Sequence, residues 1–373
     1  MTDLNAPFAP DWVSPPGDSI SDIAEERGWT QAELARRLGY TEKHVSQLIN
    51  GKVPLTIDAA QRLERALGST FDFWMAREAN YQKHKARQEA EQKYAEWTPW
   101  LDKLPLKELM SARAIPKRRI DAKNKPLFVE ACLRFFGVAS PEGWNCHYLG
   151  MEAAFRRTRK EQSDPGAISA WLRLGEKEAE KVGESKYHKS RFEKALRDIR
   201  NLTCENPGVF EPKMRRLLQE AGVLLVLVPA IPRAHVSGVA RWLGQARPLI
   251  QLSLYGKTND RFWFTFFHEA AHILLHADGA QDKASIFLDD KNPNISDHRE
   301  DEANRWSGEF LIPSEYDREL RYLKNKAAVK DFAEKIGIHP GIVVGRLQHD
   351  ELIKLSWMND LKESFCFKAA PND

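Results

Sequence analysis

The sequence is poor in the features that mark disulfide-bonded and membrane-spanning proteins. Its 373 residues include only four cysteines, which lie far apart and form no CxxC pair: Cys132, Cys146, Cys204 and Cys366. We expect reduced thiols, and neither a disulfide framework nor a cysteine-type zinc site. No run approaches the roughly 18 consecutive apolar residues of a membrane helix. The N-terminal MTDLNAPFAPDW has no basic flank and no apolar stretch. We therefore expect a cytoplasmic protein with no signal peptide and no membrane partner.

The chain also lacks a strong charge of one sign. Its formal net charge of +3 is too small to indicate a nucleic-acid partner by itself. Residues 1–80 carry 8 Lys+Arg and 12 Asp+Glu, whereas residues 81–125 carry 12 and 6. Because DNA-binding modules are usually basic, charge alone does not predict that the first 80 residues bind DNA.

The first 80 residues do contain the helix-boundary signals of a helix-turn-helix. Thr30 precedes a predicted helix over 31–38 and Thr41 precedes another over 42–50, each at the position where a threonine side chain caps a helix. A turn containing Gly39 separates the two. This arrangement is typical of modules whose second helix enters the major groove of DNA, although capped helix pairs also occur in ordinary helical bundles.

Two stretches sharpen that interpretation. TQAELARRLGYTEKHVSQLINGK resembles the Cro/repressor-type helix-turn-helix, and its continuation through Phe73-Trp74 and Asn80-Tyr81 resembles the HigA antitoxin branch. The resemblance spans residues 14–82 and implies a five-helix domain that binds double-stranded operator DNA as a homodimer. It implies that Gln31 and Lys52 contact the phosphate backbone, while base edges are contacted by four residues of the second helix: Lys43, His44, Ser46 and Gln47.

Residues 83–205 contain no group of side chains that points to chemistry. The alternating charges of 82–96 favour a solvated linker helix, and further helices are predicted over 127–136, 151–160 and 167–182. The basic stretch 117–125 favours a surface patch over a DNA contact. We interpret the whole region as a helical linker, spacer or interface.

The pattern changes from Pro207 onward. A helix is predicted over 212–221, and apolar, β-branched runs predict strands over 223–231, 236–243 and 247–255. The last strand is a candidate edge along which an extended substrate binds. The chain as a whole is therefore expected to be mainly α with a small β-sheet (α+β), with its third domain over 207–355.

The stretch FFHEAAHILLHA then contains an HExxH pattern. On a helix, His268 and His272 lie one turn apart on the same face, where two imidazoles can share one tetrahedral zinc. Glu269 is placed to act as the general base toward the attacking water. A catalytic zinc needs three protein ligands and one open position, so the pattern requires a third ligand from elsewhere.

Two positions can supply this ligand. Asp278 stands where some zinc peptidases place the last residue of HExxHxxGxxH, but Leu275 replaces the glycine that turns the chain there. The alternative is Glu300 in the spacing Glu-x-x-Ala-Asn, with Asn304 one turn later as a partner that orients a histidine. Glu302 points to a different side of that helix, so the two glutamates are not expected to ligate one ion. We favour Glu300.

RFWFTFFHEAAHILLH followed by EDEANRWSGEFLIP is similar to the ImmA/IrrE family of zinc metallopeptidases. The similarity covers roughly residues 210–350 and implies a zincin-like domain with one Zn²⁺ per chain. It implies His268, His272 and Glu300 as ligands and Glu269 as the catalytic base. His276, one turn beyond His272, is interpreted as a residue that supports the ligands.

Two further features concern histidines and the end of the chain. His276 and His339 are the candidates for steadying a tetrahedral intermediate. The stretch from Val329 to Ile353 has helix-turn-helix spacing again, and we favour packing against the peptidase domain over a second nucleic-acid contact.

The two resemblances together predict a transcriptional regulator that cleaves a specific protein, such as a repressor or a toxin-antitoxin partner. One alternative is a HigA-like antitoxin or repressor whose HExxH domain is structural or inactive. Another is a protease toxin or stress protease whose head only regulates its own operon. The Glu269→Gln variant separates these functions.

Overall fold

The structure is a computed structural model that describes residues 14–149, 164–183, 186–244, 247–254, 256–276 and 293–367. The chain divides into two units, residues 1–98 and residues 99–373. Within the described ranges, no helix combines the length and the apolar character needed to cross a membrane.

The described part of the first unit, from residue 14 onward, contains five helices. Threonine hydroxyls cap four of its helices, since Thr30, Thr41, Thr56 and Thr70 each accept a hydrogen bond from a backbone N–H three residues later. Gly39 ends the second helix in the left-handed conformation that favours glycine. The helices are α1 (Pro16–Glu26), α2 (Gln31–Leu38), α3 (Glu42–Ile49), α4 (Ile57–Leu67) and α5 (Phe71–Glu96).

The apolar faces of these helices form one core, which includes Ile20, Leu34, Val45, Leu63 and Trp74, all fully buried. A side chain at Gly17 would collide with the Ile49 carbonyl, so α1 and α3 pack backbone to backbone. The polar stretch from Gln82 is not a separate linker helix, because it continues α5 without a break.

The second unit begins with helices that precede its sheet: α6 (Leu106–Ser111), α7 (Lys125–Phe136), α8 (Pro141–Trp144), α9 (Pro165–Ala179) and α10 (Lys189–Arg200). Edge-to-face and tilted ring contacts join Trp100, Phe136, Trp144 and Tyr148 near α7 and α8. The helix predicted over 151–160 lies outside the described residues.

Within the residues that the structure describes, the sheet has three short strands, β1 (Leu224–Leu227), β2 (Gly238–Leu243) and β3 (Arg247–Leu252), in the order β1-β3-β2. β1 pairs with β3 in parallel, and β2 pairs with β3 antiparallel. The prediction that the last strand offers an edge to substrate was therefore wrong, because β3 is central and both of its edges are already paired.

Helices cover both faces of the sheet. On one face α9 is held by polar contacts: the Trp171 indole donates to the Val228 carbonyl (3.2 Å), and the Gln251 amide donates to the Trp171 carbonyl (2.6 Å). The other face shares a core with α10, with α11 (Pro207–Glu220) and with α12 (Asn259–Leu275). From α9 onward, the middle of the chain thus packs against the sheet.

The remaining helices are α13 (Pro293–Leu311), α14 (Asp317–Leu320), α15 (Lys326–Ile336) and α16 (Pro340–His349). The last two bury Val329, Phe332, Val343 and Leu347 in the same core as α12. Core packing is therefore the structural role of the helix pair near the C-terminus. The expected fold class, mainly α with a small β-sheet, is confirmed.

Candidate functional site

The HExxH helix α12 has one apolar face, which packs in the core, and one polar face, which carries the histidines and is also largely buried. Trp263, Phe266 and Phe267 are fully buried in the apolar core of the second unit. Burying side chains of this size stabilises the fold by about 1.5–3 kcal/mol each. The core therefore fixes the rotation of α12 about its axis, and with it the direction in which the histidines point.

Three side chains from two helices converge into one triangle. His268 Nε2 lies 3.1 Å from His272 Nε2, and the Glu300 carboxylate on α13 lies 3.2 Å from the first nitrogen and 3.3 Å from the second. Among the described residues, these three form the one group of His, Cys, Asp or Glu donors whose atoms are close enough to hold a metal ion. Glu300 is thus the acidic residue that the structure brings to the HExxH pair, while Asp278 lies outside the described residues.

Burial and charge act against each other in this triangle. Burial would raise the pKa of the Glu300 carboxyl, but hydrogen bonds with His268 and His272 hold it well below its usual range. Burial lowers the pKa of His272 below its ordinary value, and Glu300 offsets this only in part. Burial also acts to lower the pKa of His268, but Glu300 and Glu269 outweigh it and leave that pKa raised. An ionised carboxylate therefore faces two imidazole nitrogens, a donor set suited to a cation.

The dimensions fit zinc. Ligands about 2.0–2.1 Å from a tetrahedral ion lie roughly 3.3–3.4 Å from one another. The two imidazole Nε2 atoms are 3.1 Å apart, and each lies close to a different oxygen of the Glu300 carboxylate, at 3.2 and 3.3 Å. Two imidazole nitrogens and a carboxylate oxygen form a donor set that zinc uses in catalytic sites. The residues present therefore suit a three-ligand zinc site with one position left for another group.

The Glu269 side chain extends from α12 to the start of β2. Its residue is 8% exposed. A Cβ added to Gly238 would lie 3.0 Å from the Glu269 Cγ and 2.6 Å from the Thr265 Cγ2. A strand residue without a side chain therefore makes the space that the Glu269 side chain needs. This contact was not predicted, and an isolated glycine in a strand, which often marks close approach of another element, was the available signal.

Two of the residues expected to support the ligands lie where they can do so. His276 Nδ1 is 3.1 Å from His272 Nδ1, and its Nε2 is 3.0 Å from a carboxylate oxygen of Glu302. Asn304 raises the pKa of His268 through a side-chain hydrogen bond. The contact of His276 with Glu302 was not predicted.

His339 does not belong to this site. It caps α16, where its Nδ1 accepts from the Gly341 N–H (3.0 Å) and lies 2.8 Å from the Asn259 amide. Asn259 begins α12, nine residues before His268, which is about 13 Å along a helix. His339 is therefore too far away to steady an intermediate at the triangle.

The residues predicted to contact DNA are all accessible to solvent. Gln31, Lys43 and Lys52 are exposed, while His44, Ser46 and Gln47 are partly exposed. The His44 ring contacts Tyr40 edge to face at 4.5 Å. The Asn50 amide reaches back to the Ser46 carbonyl (2.7 Å) and hydroxyl (3.4 Å), so Asn50 shares the outward face of α3.

Comparison with known protein families finds a match within each unit. Residues 20–74 match the helix-turn-helix family, and residues 226–348 match the IrrE N-terminal-like domain. No curated protein matches the chain. The chain thus joins a DNA-binding helix-turn-helix domain to a peptidase-like domain. More particularly, that second domain is of the ImmA/IrrE type, so both resemblances are confirmed at this level, whereas the HigA branch stays an interpretation.

Proposed function

We propose that the protein is a DNA-binding transcriptional regulator whose second unit is a zinc-dependent endopeptidase acting on a specific protein. The observation that carries this proposal is the triangle of His268, His272 and Glu300 with Glu269 next to it in the chain. Two imidazoles and one carboxylate leave a tetrahedral ion one open position, which is what distinguishes catalytic from structural zinc sites.

Each side chain has a separate role in this proposal. His268, His272 and Glu300 would hold one zinc ion per chain. When bound, zinc acts as a Lewis acid that polarises a peptide carbonyl and acidifies water. The Glu269 carboxylate takes a proton from the attacking water and delivers it to the leaving amine.

The substrate that suits the outer edge of β2 is an extended protein segment. β2 is a terminal strand of the sheet, and its first residue passes Glu269. Among the described residues, only β3 pairs with β2. A peptide added along the outer edge of β2 would gain backbone hydrogen bonds and would bring its own carbonyl groups past the catalytic carboxylate.

In this proposal the first unit binds a specific DNA site. We propose that it binds operator DNA as a homodimer, with α3 in the major groove and Lys43, His44, Ser46 and Gln47 toward base edges. Gln31 and Lys52 contact the phosphate backbone. The substrate proposed is a repressor or a toxin-antitoxin partner, so that cleavage changes transcription of the same genes.

The Glu269→Gln variant tests the proposal. Because the amide cannot accept the proton, we expect this variant to keep about one zinc per chain and normal operator binding, and to lose proteolysis. Zinc is measured by elemental mass spectrometry, and proteolysis by comparing new protein N-termini in cells that produce each variant. Glu309→Gln, the same change at a carboxylate paired with Arg305 on α13, is the matched control.

The alternatives give different results in the same experiment. If the protein acted as an antitoxin by binding alone, Glu269→Gln would behave like the wild type in every assay. If it were a protease toxin, the variant would relieve growth inhibition. No zinc in the wild-type protein, even after supplementation, would overturn the proposed enzymatic function.

A further inference from the structure

We infer that Glu302 and His276 are positioning residues that determine which ring nitrogen of His272 carries the proton. They keep the proton on Nδ1, so that Nε2 has the lone pair that a metal ion would need. The inference rests on the proposed zinc site, but it concerns hydrogen bonds within the chain itself. It gives the second glutamate of the EDEAN stretch a task distinct from that of the first, since Glu300 contacts the Nε2 atoms of His268 and His272 whereas Glu302 contacts His276.

The three residues form a continuous series of contacts. His272 and His276 are one turn apart at the end of α12, with their Nδ1 atoms 3.1 Å apart. The remaining ring nitrogen of His276, Nε2, lies 3.0 Å from the Glu302 carboxylate on α13. The two imidazole side chains are each 5% exposed, so their hydrogen bonds are shielded from water and are costly to leave unmade.

The positions of the protons follow from one end of the series. A carboxylate is an acceptor only, so His276 must donate to Glu302 from Nε2. In a neutral imidazole the other nitrogen is then an acceptor, which makes His276 Nδ1 the acceptor for His272. His272 therefore donates from Nδ1, which leaves its Nε2 without a proton. Because the Glu300 carboxylate is also an acceptor and lies 3.3 Å from that Nε2, Glu300 and Glu302 compete for the position of the one His272 proton, and a cation held at the triangle favours the arrangement set by Glu302.

The reverse arrangement would oppose metal binding. With a proton on His272 Nε2, that nitrogen would present N–H to the triangle and could not ligate. Partners of this kind around metal-ligating histidines typically change metal affinity or activity by about 10–100-fold when removed. The fraction of His272 in the ligating form is thus governed by a residue that does not itself touch the metal.

Glu302 allows a clean test because it lies at the surface. Its side chain is 49% exposed, so its removal leaves no cavity and the fold is kept. We expect Glu302→Ala to bind zinc at one per chain but with a dissociation constant raised about 10–100-fold, measured on the full chain by competition with a chromophoric chelator. Glu302→Gln keeps an acceptor for His276 and is expected to recover most of the affinity.

A second variant tests whether Glu302 acts through His276. We expect His276→Phe to weaken zinc binding to a similar degree, and the double variant with Glu302→Ala to be no weaker than His276→Phe alone. Multiplying effects in the double variant would mean that Glu302 acts independently and would overturn the inference. Glu309→Ala on the same helix is the control, with an unchanged dissociation constant expected.

Proton positions are read directly by two-bond ¹H–¹⁵N correlation of the imidazoles in the zinc-loaded protein. We expect His272 to be protonated at Nδ1 and this signal to weaken or shift in Glu302→Ala, which a merely structural role of Glu302 would not produce. Unchanged zinc affinity in Glu302→Ala and His276→Phe overturns the inference while leaving the proposed enzyme intact. Absence of zinc binding in the wild type overturns both.

Discussion

At the scale of single residues, the least conspicuous position in the site is a glycine. Gly238 begins β2, and a Cβ there would approach the Thr265 Cγ2 to 2.6 Å, the Leu252 Cδ2 to 2.9 Å and the Glu269 Cγ to 3.0 Å. Such distances require the neighbouring side chains to shift. The glycine therefore leaves the space in which Glu269, the proposed catalytic base, lies, although it has no part in the proposed chemistry.

The Gly238→Ala variant is expected to displace β2 or Glu269. We predict a loss of about 1–3 kcal/mol in the free energy of unfolding, as for other insertions into packed interiors, and a larger fractional loss of peptidase activity than of zinc content. Urea unfolding and elemental mass spectrometry measure the two effects. Gly183→Ala, at a position with open space around the added Cβ, is the control. Full activity in Gly238→Ala would contradict this account.

The residues proposed to contact DNA give a second prediction at the residue scale. Binding is measured to an operator that is first selected from a pool of random duplexes. Lys43→Ala should weaken binding by about 1–3 kcal/mol and relax the base preference at one position of each half-site. Lys52→Ala should weaken binding to all sequences alike and reduce the salt-dependence slope by about 1.

Lys93→Ala, an exposed lysine near the end of α5, is the control and should leave both quantities unchanged. If Lys43→Ala changed only the salt dependence, Lys43 would be a phosphate contact and the assignment of α3 to base edges would fail at that residue.

The proximity of the three proposed ligands was predictable from sequence for a simple reason. His268 and His272 share a helix, so their separation follows from helical geometry, and Glu300 was recognised by its own local spacing. The contacts of Gly238 and Glu302 were not predicted from sequence. Their partners, Glu269 and His276, come from other elements, and no local pattern encodes which element packs against which.

At the scale of elements, the same limit applies to the sheet. The strands were recognisable from their apolar, β-branched runs, but their order was not. β3 lies between β1 and β2, and its residues 248–252 are all buried. A central strand covered by helices on both faces and an edge strand can share one pattern, so the interpretation of β3 as a substrate edge could not be tested before the pairing was known.

The attachment of α9 to the sheet is the second feature that sequence did not specify. Arg241 on β2 is 2% exposed and reaches the Glu176 carboxylate (2.6 Å) and the Leu172 carbonyl (2.7 Å) of α9. Glu176 also accepts from Arg173 (2.7 Å). A buried guanidinium needs such partners, since an uncompensated buried charge is strongly destabilising.

This ion pair predicts that replacing Glu176 and replacing Arg241 lower the free energy of unfolding by different amounts. Glu176→Gln leaves the buried Arg241 without its counter-charge, so the free energy of unfolding should fall by about 3–5 kcal/mol. Arg241→Met should cost less, because Glu176 keeps Arg173 as a partner. Urea denaturation of the full chain measures both changes.

Glu178→Gln is the control for this pair. Its carboxylate pairs with Lys181 at the surface and is 51% exposed, where such pairs contribute about 0–1 kcal/mol. Equal losses for Glu176→Gln and Arg241→Met would show that the charge is not what joins α9 to β2.

At the scale of the whole molecule, the two units have different kinds of function and separate cores. The core of the first unit includes Leu34, Leu63 and Trp74, whereas the core of the second joins helices on both sides of the HExxH helix, from Phe192 on α10 to Leu347 on α16. The domain limits inferred from sequence, 14–82, 83–205 and 207–355, assign the start of this second core to a linker. We propose instead that residues 99–373 are one folding unit.

Separate expression of the units tests that proposal. A fragment of residues 99–373 should unfold in one cooperative transition and bind one zinc. A fragment of residues 207–373 lacks α9 and α10, so Arg241 loses Glu176 and the Leu172 carbonyl, Gln251 loses the Trp171 carbonyl, and the apolar surface under Phe192 and Leu196 is exposed. Because unpaired buried polar groups and exposed apolar surface both oppose folding, we expect this shorter fragment to aggregate or to unfold without a cooperative transition. A soluble, zinc-binding fragment of residues 207–373 would mean that the helices before the sheet are dispensable, and that the limits inferred from sequence describe the peptidase domain better than the packing of α9 and α10 does.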